Sequence, residues 1–189
     1  LREGLEKLIE REIDHAREGR PARLIFKLNS IADPDIIRKL YQASCSGVEQ
    51  DLIVRGVCCL RPGVAGVSEN IRVRSIIGRF LEHSRIYYFE NGGKPEVYCG
   101  SADLMERNLD RRVEILFPVL DAKHREHLKS VVLDQQLLDN TQAFQLQEDG
   151  NYIKTMPEKD PEAVDSQNNL LRWYSGKNRP MEKKQDRKK

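Results

Sequence analysis

Apolar positions fall first into a helical rhythm. Leu1, Leu5, Leu8, Ile9, Ile13 and Ala16 recur at spacings of three and four, and Gly19 supplies a stop. The rhythm then changes: Leu24-Ile25-Phe26-Lys27-Leu28 is a short apolar run of strand length. Asp33-Pro34 reads as an N-cap with proline in the first turn, and the helix it starts presents Ile36, Ile37, Leu40 and Tyr41 before Ser46-Gly47 ends it. Residues 51–57 (DLIVRGV) predict a second strand, which completes a strand–helix–strand unit. Pro and Gly make 61–70 a loop, and Ile76, Ile77, Phe80 and Leu81 predict a short helix that stops near His83. Arg85–Phe89 and Glu96–Cys99 flank Asn91-Gly92-Gly93, a hairpin signal. Residues 112–118 predict another strand, and Asp121 caps a helix with Leu128, Val131, Val132 and Leu138 on one side. After about residue 148 the pattern fades: 149–169 is polar with two prolines, and Leu170–Tyr174 is the one stretch there able to dock. Strands alternating with helices give the α/β class, with one domain over 1–147 and a polar extension over 148–189.

Composition changes this picture little. Hydrophobic residues at 39% and charged residues at 33% suit a globular chain with a wet surface, and the net charge of +2 points to no particular partner. Its distribution is uneven. Residues 177–189 hold seven Lys/Arg against Glu182 and Asp186, so a basic, disordered end is expected on a mildly acidic body. No apolar run reaches the roughly 20 residues of a membrane span. The start lacks both an initiator Met and the apolar core of a signal peptide, so a fragment of a longer protein is expected. Cys45, Cys58, Cys59 and Cys99 form no CxxC pair and read as reduced structural thiols.

Three clusters carry candidate chemistry. Arg55 stands at the end of a strand expected to be buried, where α/β sheets bind ligands. Its guanidinium fork matches phosphate oxygens, and Gly56 beside it permits close backbone approach. Pairing with a surface carboxylate is the plainer alternative. His83 and Arg85, two apart in an extended segment, would share a face and could stabilise a transferring phosphoryl group or shuttle a proton; a helix cap is the alternative for His83. Gly100-Ser101-Ala102-Asp103 could bring backbone N–H groups and a hydroxyl to an anion, or could be a plain turn with Ser101 as N-cap. His15, His124 and His127 read as surface residues, and no metal site is expected in this chain. Walker-type and kinase-type glycine loops, HExxH, GxSxG and zinc spacings are all absent.

These clusters stand in a recognisable order. LIVRGVCCLRPGVAGVSENIRVRSIIGRFLEHSRIYYFENGG (52–93) and YCGSADLMERNLDRRVEILFPVLD (98–121) closely resemble the last domain of polyphosphate kinases, with 26–29 and 41–48 fitting upstream. The resemblance implies a phospholipase D-like α/β fold, a mixed sheet flanked by helices. It implies reversible transfer of the terminal phosphate of ATP to inorganic polyphosphate, with Mg2+. Arg55 and His83 fall where the family binds the nucleotide's phosphates, His83 as the catalytic residue. Arg85, Ser101 and Asp103 are weaker neighbours: His83-Ser84-Arg85 stands in for a His-x-Lys signature, and Gly100-Ser101 for its Gly-Ser.

The family's phosphohistidine and metal-binding arginines belong to a preceding domain and have no counterpart in these 189 residues. The resemblance therefore implies part of a composite pocket, inactive alone, whose partners are ATP or ADP, polyphosphate and the remaining domains of the same enzyme. It implies no specific nucleic acid and a cytoplasmic location. Homo-oligomers and membrane association of the intact enzyme stay open. A phospholipase D-like phosphodiesterase half-site acting as a dimer and a non-enzymatic polyanion-binding module are the alternatives.

Overall fold

The computed structural model describes residues 1–157 and 163–176. Helix α1 (Arg2–Arg17) is polar in composition, yet Leu5, Ile9 and Ile13 are almost wholly buried on one face. Burying a large aliphatic side chain contributes roughly 1.5–3 kcal/mol, so three outweigh the cost of the buried Glu12, whose carboxylate accepts from the backbone N–H groups of Arg23 and Asn91.

After α1 come β1 (Arg23–Leu28), α2 (Pro34–Cys45), β2 (Glu49–Val54), β3 (Ile71–Ile76), β4 (Arg85–Phe89), β5 (Glu96–Gly100) and β6 (Leu116–Pro118). Helical turns then run from α3 (Ala122–Glu126) through a π-helical stretch, His127–Leu133, to α4 (Asp134–Leu138). The hairpin β7 (Ala143–Leu146) and β8 (Tyr152–Lys154) follows, and then α5 (Ser166–Tyr174). The strands form one mixed sheet in the order β6-β5-β4-β1-β2-β3-β7-β8. Only β1, β2 and β3 are mutually parallel; β4 joins β1 antiparallel, and the outer strands add antiparallel neighbours. Alternation along the central strands splits the core. Leu24, Phe26, Leu52, Val54, Tyr87 and Phe89 pack with α1 and α2, while Ile25, Ile53, Ile86 and Tyr88 share a second cluster with Leu133, Leu128 and Val132. The expected α/β class, a mixed sheet flanked by helices, is the observed one.

Several expectations need correction. No helix covers 76–81: β3 ends at Ile76, with Ile71, Val73 and Ser75 buried, Arg72 exposed and Arg74 half-buried in alternation, and 77–84 is irregular. That period of two is the strand's own signal. The strand expected over 112–118 shrinks to β6. The π-helical stretch adds a residue to its turn and shifts the face, so that Leu133 is buried and Leu138 is 59% exposed. Order also continues past residue 148, in β8 and α5. His15 is no surface residue: the 91–93 turn covers it, and its Nε2 lies 3.2 Å from Asn91 Oδ1. His127 is half-buried and meets the Tyr174 hydroxyl at 2.8 Å. The four cysteines are unpaired. The basic tail, 177–189, lies outside the described residues. Among those described, no helix is long and apolar enough to cross a membrane.

Candidate functional site

The sheet brings five chain segments to one edge. Parallel β1, β2 and β3 end there at Leu28, Val54 and Ile76; antiparallel β4 begins there at Arg85, and β5 finishes there at Gly100. The carboxyl ends of α/β strands are where such sheets hold ligands. Just past β1, residue 31 bridges to both Cys58 and Leu104, which locks the segments after β1, β2 and β5 against one another. Gly56 is needed at this seam. Its N–H donates to Asn29 O at 2.7 Å, and a Cβ there would stand 2.9 Å from that same oxygen. The close approach is to the protein's own backbone.

Four of the five residues expected at the site join one hydrogen-bonded chain. Arg55 donates from Nε and Nη2 to Asn29 Oδ1 at 3.2 and 2.8 Å. Asn29 donates in turn to Asp103, from its backbone N at 2.8 Å and from Nδ2 at 3.2 and 3.3 Å. Asp103 also accepts from Arg85 Nε at 3.2 Å and Nη2 at 3.1 Å. Arg85 Nη1 then donates to His83 Nδ1 at 2.8 Å and to the His83 carbonyl at 2.9 Å. Burial by itself pushes the Asp103 carboxyl up, but hydrogen bonds from Arg85 and Asn29, with the Arg85 charge, hold it below the usual carboxylate range.

A guanidinium can only donate, so Nδ1 of His83 is the acceptor and Nε2 carries the ring proton in this arrangement. The imidazole is exposed, with that N–H turned away from Arg85. Arg55 is half-buried, and its Nη1 has no protein partner among the described residues. Arg55 and residues 76–81 line a cavity of about 400 Å³.

The other site residue falls elsewhere. Ser101 is not an N-cap: its hydroxyl donates to Glu114 and accepts from Ile115 N, within the β5–β6 connection. Gly100 fits the crowding there, since a Cβ would stand 2.3 Å from Ile115 O.

Sequence reasoning also left members out. Asn29 is buried at the centre of the chain, and an amide directly after a strand was the signal for it. Lys27, 5% exposed, pairs with Glu82 at 3.2 Å. Burial lowers the Lys27 pKa, Glu82 opposes the drop, and the charges of Arg55 and Arg85 add to it, so three cations share this edge. A divalent metal does not fit these residues. Both Asp103 oxygens are occupied by donors, and among the described residues no three His, Cys, Asp or Glu side chains converge.

A family model described as polyphosphate kinase C-terminal domain 2 matches residues 1–167. A polyphosphate kinase of Pseudomonas syringae pv. tomato is 54% identical over 93% of this chain and 24% of its own length. A polyphosphate kinase 1 of Chlorobaculum tepidum is 54% identical over 88% of this chain and 23% of its own. The crystal structure of polyphosphate kinase from Porphyromonas gingivalis matches with a TM-score of 0.89 at 42% identity, covering 94% of this chain and 27% of that one. The chain thus spans about a quarter of the length of these relatives.

Proposed function

The chain belongs to the polyphosphate kinase family, as its C-terminal domain, and from that membership we propose that it supplies the arginine–histidine part of a pocket that moves the terminal phosphate of ATP reversibly to polyphosphate. The observation that carries this reading is the Arg55–Asn29–Asp103–Arg85–His83 chain at the sheet edge. Arg55 is the phosphate clamp: Asn29 fixes one side of its fork and leaves Nη1 for an anion. His83 presents Nε2–H to the reacting phosphates or the departing oxygen of ADP. Arg85 and Asp103 hold the imidazole in that orientation. The phosphoryl acceptor histidine and the ligands of Mg2+ we assign to the rest of the intact enzyme, and the setting to the cytoplasm. Where metal ions are bound, phosphoryl transfer gains neutralisation of charge on the phosphate oxygens. The residues of this chain position the phosphates and exchange a proton with them.

His83 is suited to that exchange. Arg55 and Arg85 are permanently charged, Asp103 is held ionised, and Lys27 is locked to Glu82. Imidazole is the one group of this set that can both take and give a proton during turnover, and it gives one only from the imidazolium formed when Nδ1 releases Arg85 and is protonated.

The test is Arg55→Lys in the intact enzyme. An ammonium keeps the charge but cannot hold Asn29 and a phosphate oxygen in one plane. Losing a charge-assisted hydrogen bond costs about 1.5–3 kcal/mol, so kcat/KM for ATP should fall about 10- to 100-fold. Near-normal kinetics would reduce Arg55 to a structural residue.

A further inference from the structure

The segment 77–84 carries His83 and walls the cavity beside Arg55, yet it has no regular structure of its own. Its backbone is held from outside. Ile77 N donates to Gln142 O at 3.1 Å at one end, and in the middle Phe80 meets a side chain from α5. Gln167 Oε1 accepts from Phe80 N at 2.8 Å while its Nε2 donates to Phe80 O at 2.8 Å, so the amide closes a two-point ring with one residue's backbone, as a neighbouring strand would. Nε2 also donates to Glu82 Oε1 at 3.0 Å. The other Glu82 oxygen takes Lys27 Nζ and Gln136 Nε2.

Gln167 is 5% exposed, with both amide ends engaged on this one loop. Gly78 makes room for it, since a Cβ at 78 would stand 2.5 Å from Gln167 Oε1. The helix beneath is itself fixed. Asp139 accepts from Ser166 N and Oγ at 2.8 and 2.7 Å, and Val164 N donates to Asn140 Oδ1 at 2.7 Å. A buried amide that loses its partners costs about 1–3 kcal/mol, so the geometry at Phe80 is strongly preferred over a loop that drifts.

We infer that Gln167 is a positioning residue for the phosphate site, setting through Phe80 and Glu82 where His83 and the wall facing Arg55 stand. The inference rests on the reading of Arg55 and His83 given above. It places α5, outside the 1–147 domain expected from the sequence, among the parts the site depends on.

The experiment uses the 189-residue chain, with inorganic tripolyphosphate as the probe titrated by calorimetry and amide hydrogen exchange followed over 77–84. Gln167→Leu removes all three hydrogen bonds. Gln167→Glu is isosteric and sets a carboxylate against Phe80 O and Glu82, which serves if leucine prevents folding. Asn169→Ala is the control, because Asn169 ties α5 to Gln135 away from the loop. Both Gln167 variants should speed exchange at Phe80 and weaken tripolyphosphate binding by about 10-fold each, from the same hydrogen-bond cost, while Asn169→Ala changes neither. Unchanged affinity in the Gln167 variants, with the loop exchanging faster, would overturn the inference. So would an equal loss in Asn169→Ala, which would mean that any loosening of α5 is enough. Arg55→Ala and His83→Ala separate the two readings: if neither weakens binding, the phosphate site itself is refuted, and Gln167 has nothing to position.

Discussion

Asp103→Asn is nearly isosteric, so it removes a charge without opening a cavity. Every partner of the Asp103 carboxylate is a donor: Asn29 N and Nδ2, and Arg85 Nε and Nη2. An asparagine must therefore turn its own NH2 toward at least one of them, and the Arg85 charge loses its counterion. Removing one partner of a buried ion pair costs about 3–5 kcal/mol. The Arg85 and Asp103 side chains keep 13% and 10% exposure, so water softens this, and about 2–4 kcal/mol is the better figure. For a chain of this size 1 kcal/mol corresponds to about 2–4 °C, which places the expected loss at roughly 4–16 °C in Tm at neutral pH.

The pH dependence fixes the cause. Asp103 titrates lower folded than unfolded, so its contribution is complete above the ordinary carboxylate range and is lost as pH falls through the folded value. The gap between the parent chain and Asp103→Asn should thus be full at pH 7 and shrink below about pH 4, where the unfolded parent's carboxyl takes up a proton and the folded one still does not. Thermal unfolding at pH 7, 5 and 3 measures it. A Tm loss under about 2 °C at pH 7, or a gap that persists unchanged to pH 3, would refute the account of Asp103 as the shared anion.

His83→Gln in the intact enzyme keeps an acceptor for Arg85 and an N–H donor for phosphate, but no exchangeable ring proton. The expected fall in kcat is the ~10²–10⁴ of a lost acid–base group, and retention of most activity would leave His83 a phosphate ligand only. Gly100→Ala must push the new Cβ off a backbone oxygen 2.3 Å away, so it should destabilise by about 1–3 kcal/mol in denaturant titrations, whereas Gly4→Ala, with nothing within 4 Å, should not.

Much of the frame is legible in the residues. Asp33 does accept from the N–H groups of Asp35 and Ile36, and the apolar runs at 24–28 and 51–54 are the buried central strands. What periodicity missed has physical causes. In β3 alternate arginines interrupt the apolar signal, because Arg72 pairs with Asp51 across the sheet and Arg74 turns to the carbonyls of Gln136 and Leu137. The π-helical stretch is a local geometry that a 3.6-residue pattern cannot express. Helix α5 shows in the sequence only as the 170–174 stretch able to dock, because its buried residues are polar, Ser166 and Gln167, with Asp165 as the cap. Of the residues expected at the site, Arg55, His83, Arg85 and Asp103 are the ones the fold brings into one hydrogen-bonded chain. Asn29, its amide directly after a strand, carries a weak signal that periodicity passes over, while the Lys27–Glu82 ion pair announces nothing until both partners are in place.

Those residues show how cations can crowd one edge and still leave a charge free for the anion proposed there. Arg55 and Arg85 both lie close enough to Lys27 to oppose its charge. Left alone, three like charges in a partly dry setting would repel and splay. Two have carboxylates of their own: Glu82 pairs with Lys27 and Asp103 with Arg85. Arg55 is held differently, by the neutral oxygen of Asn29. That amide fixes the guanidinium without cancelling its charge, and Asn29 in turn leans on Asp103, so the orientation is borrowed from an anion whose charge is spent on Arg85. The three cations and two carboxylates leave one net positive charge, and the geometry assigns it to Arg55. An aspartate at 29 would anchor Arg55 as firmly and neutralise it, and it would set a second carboxylate against Asp103. The amide is therefore the residue type that lets the arginine be rigid and keep its charge, as the proposed phosphate clamp requires.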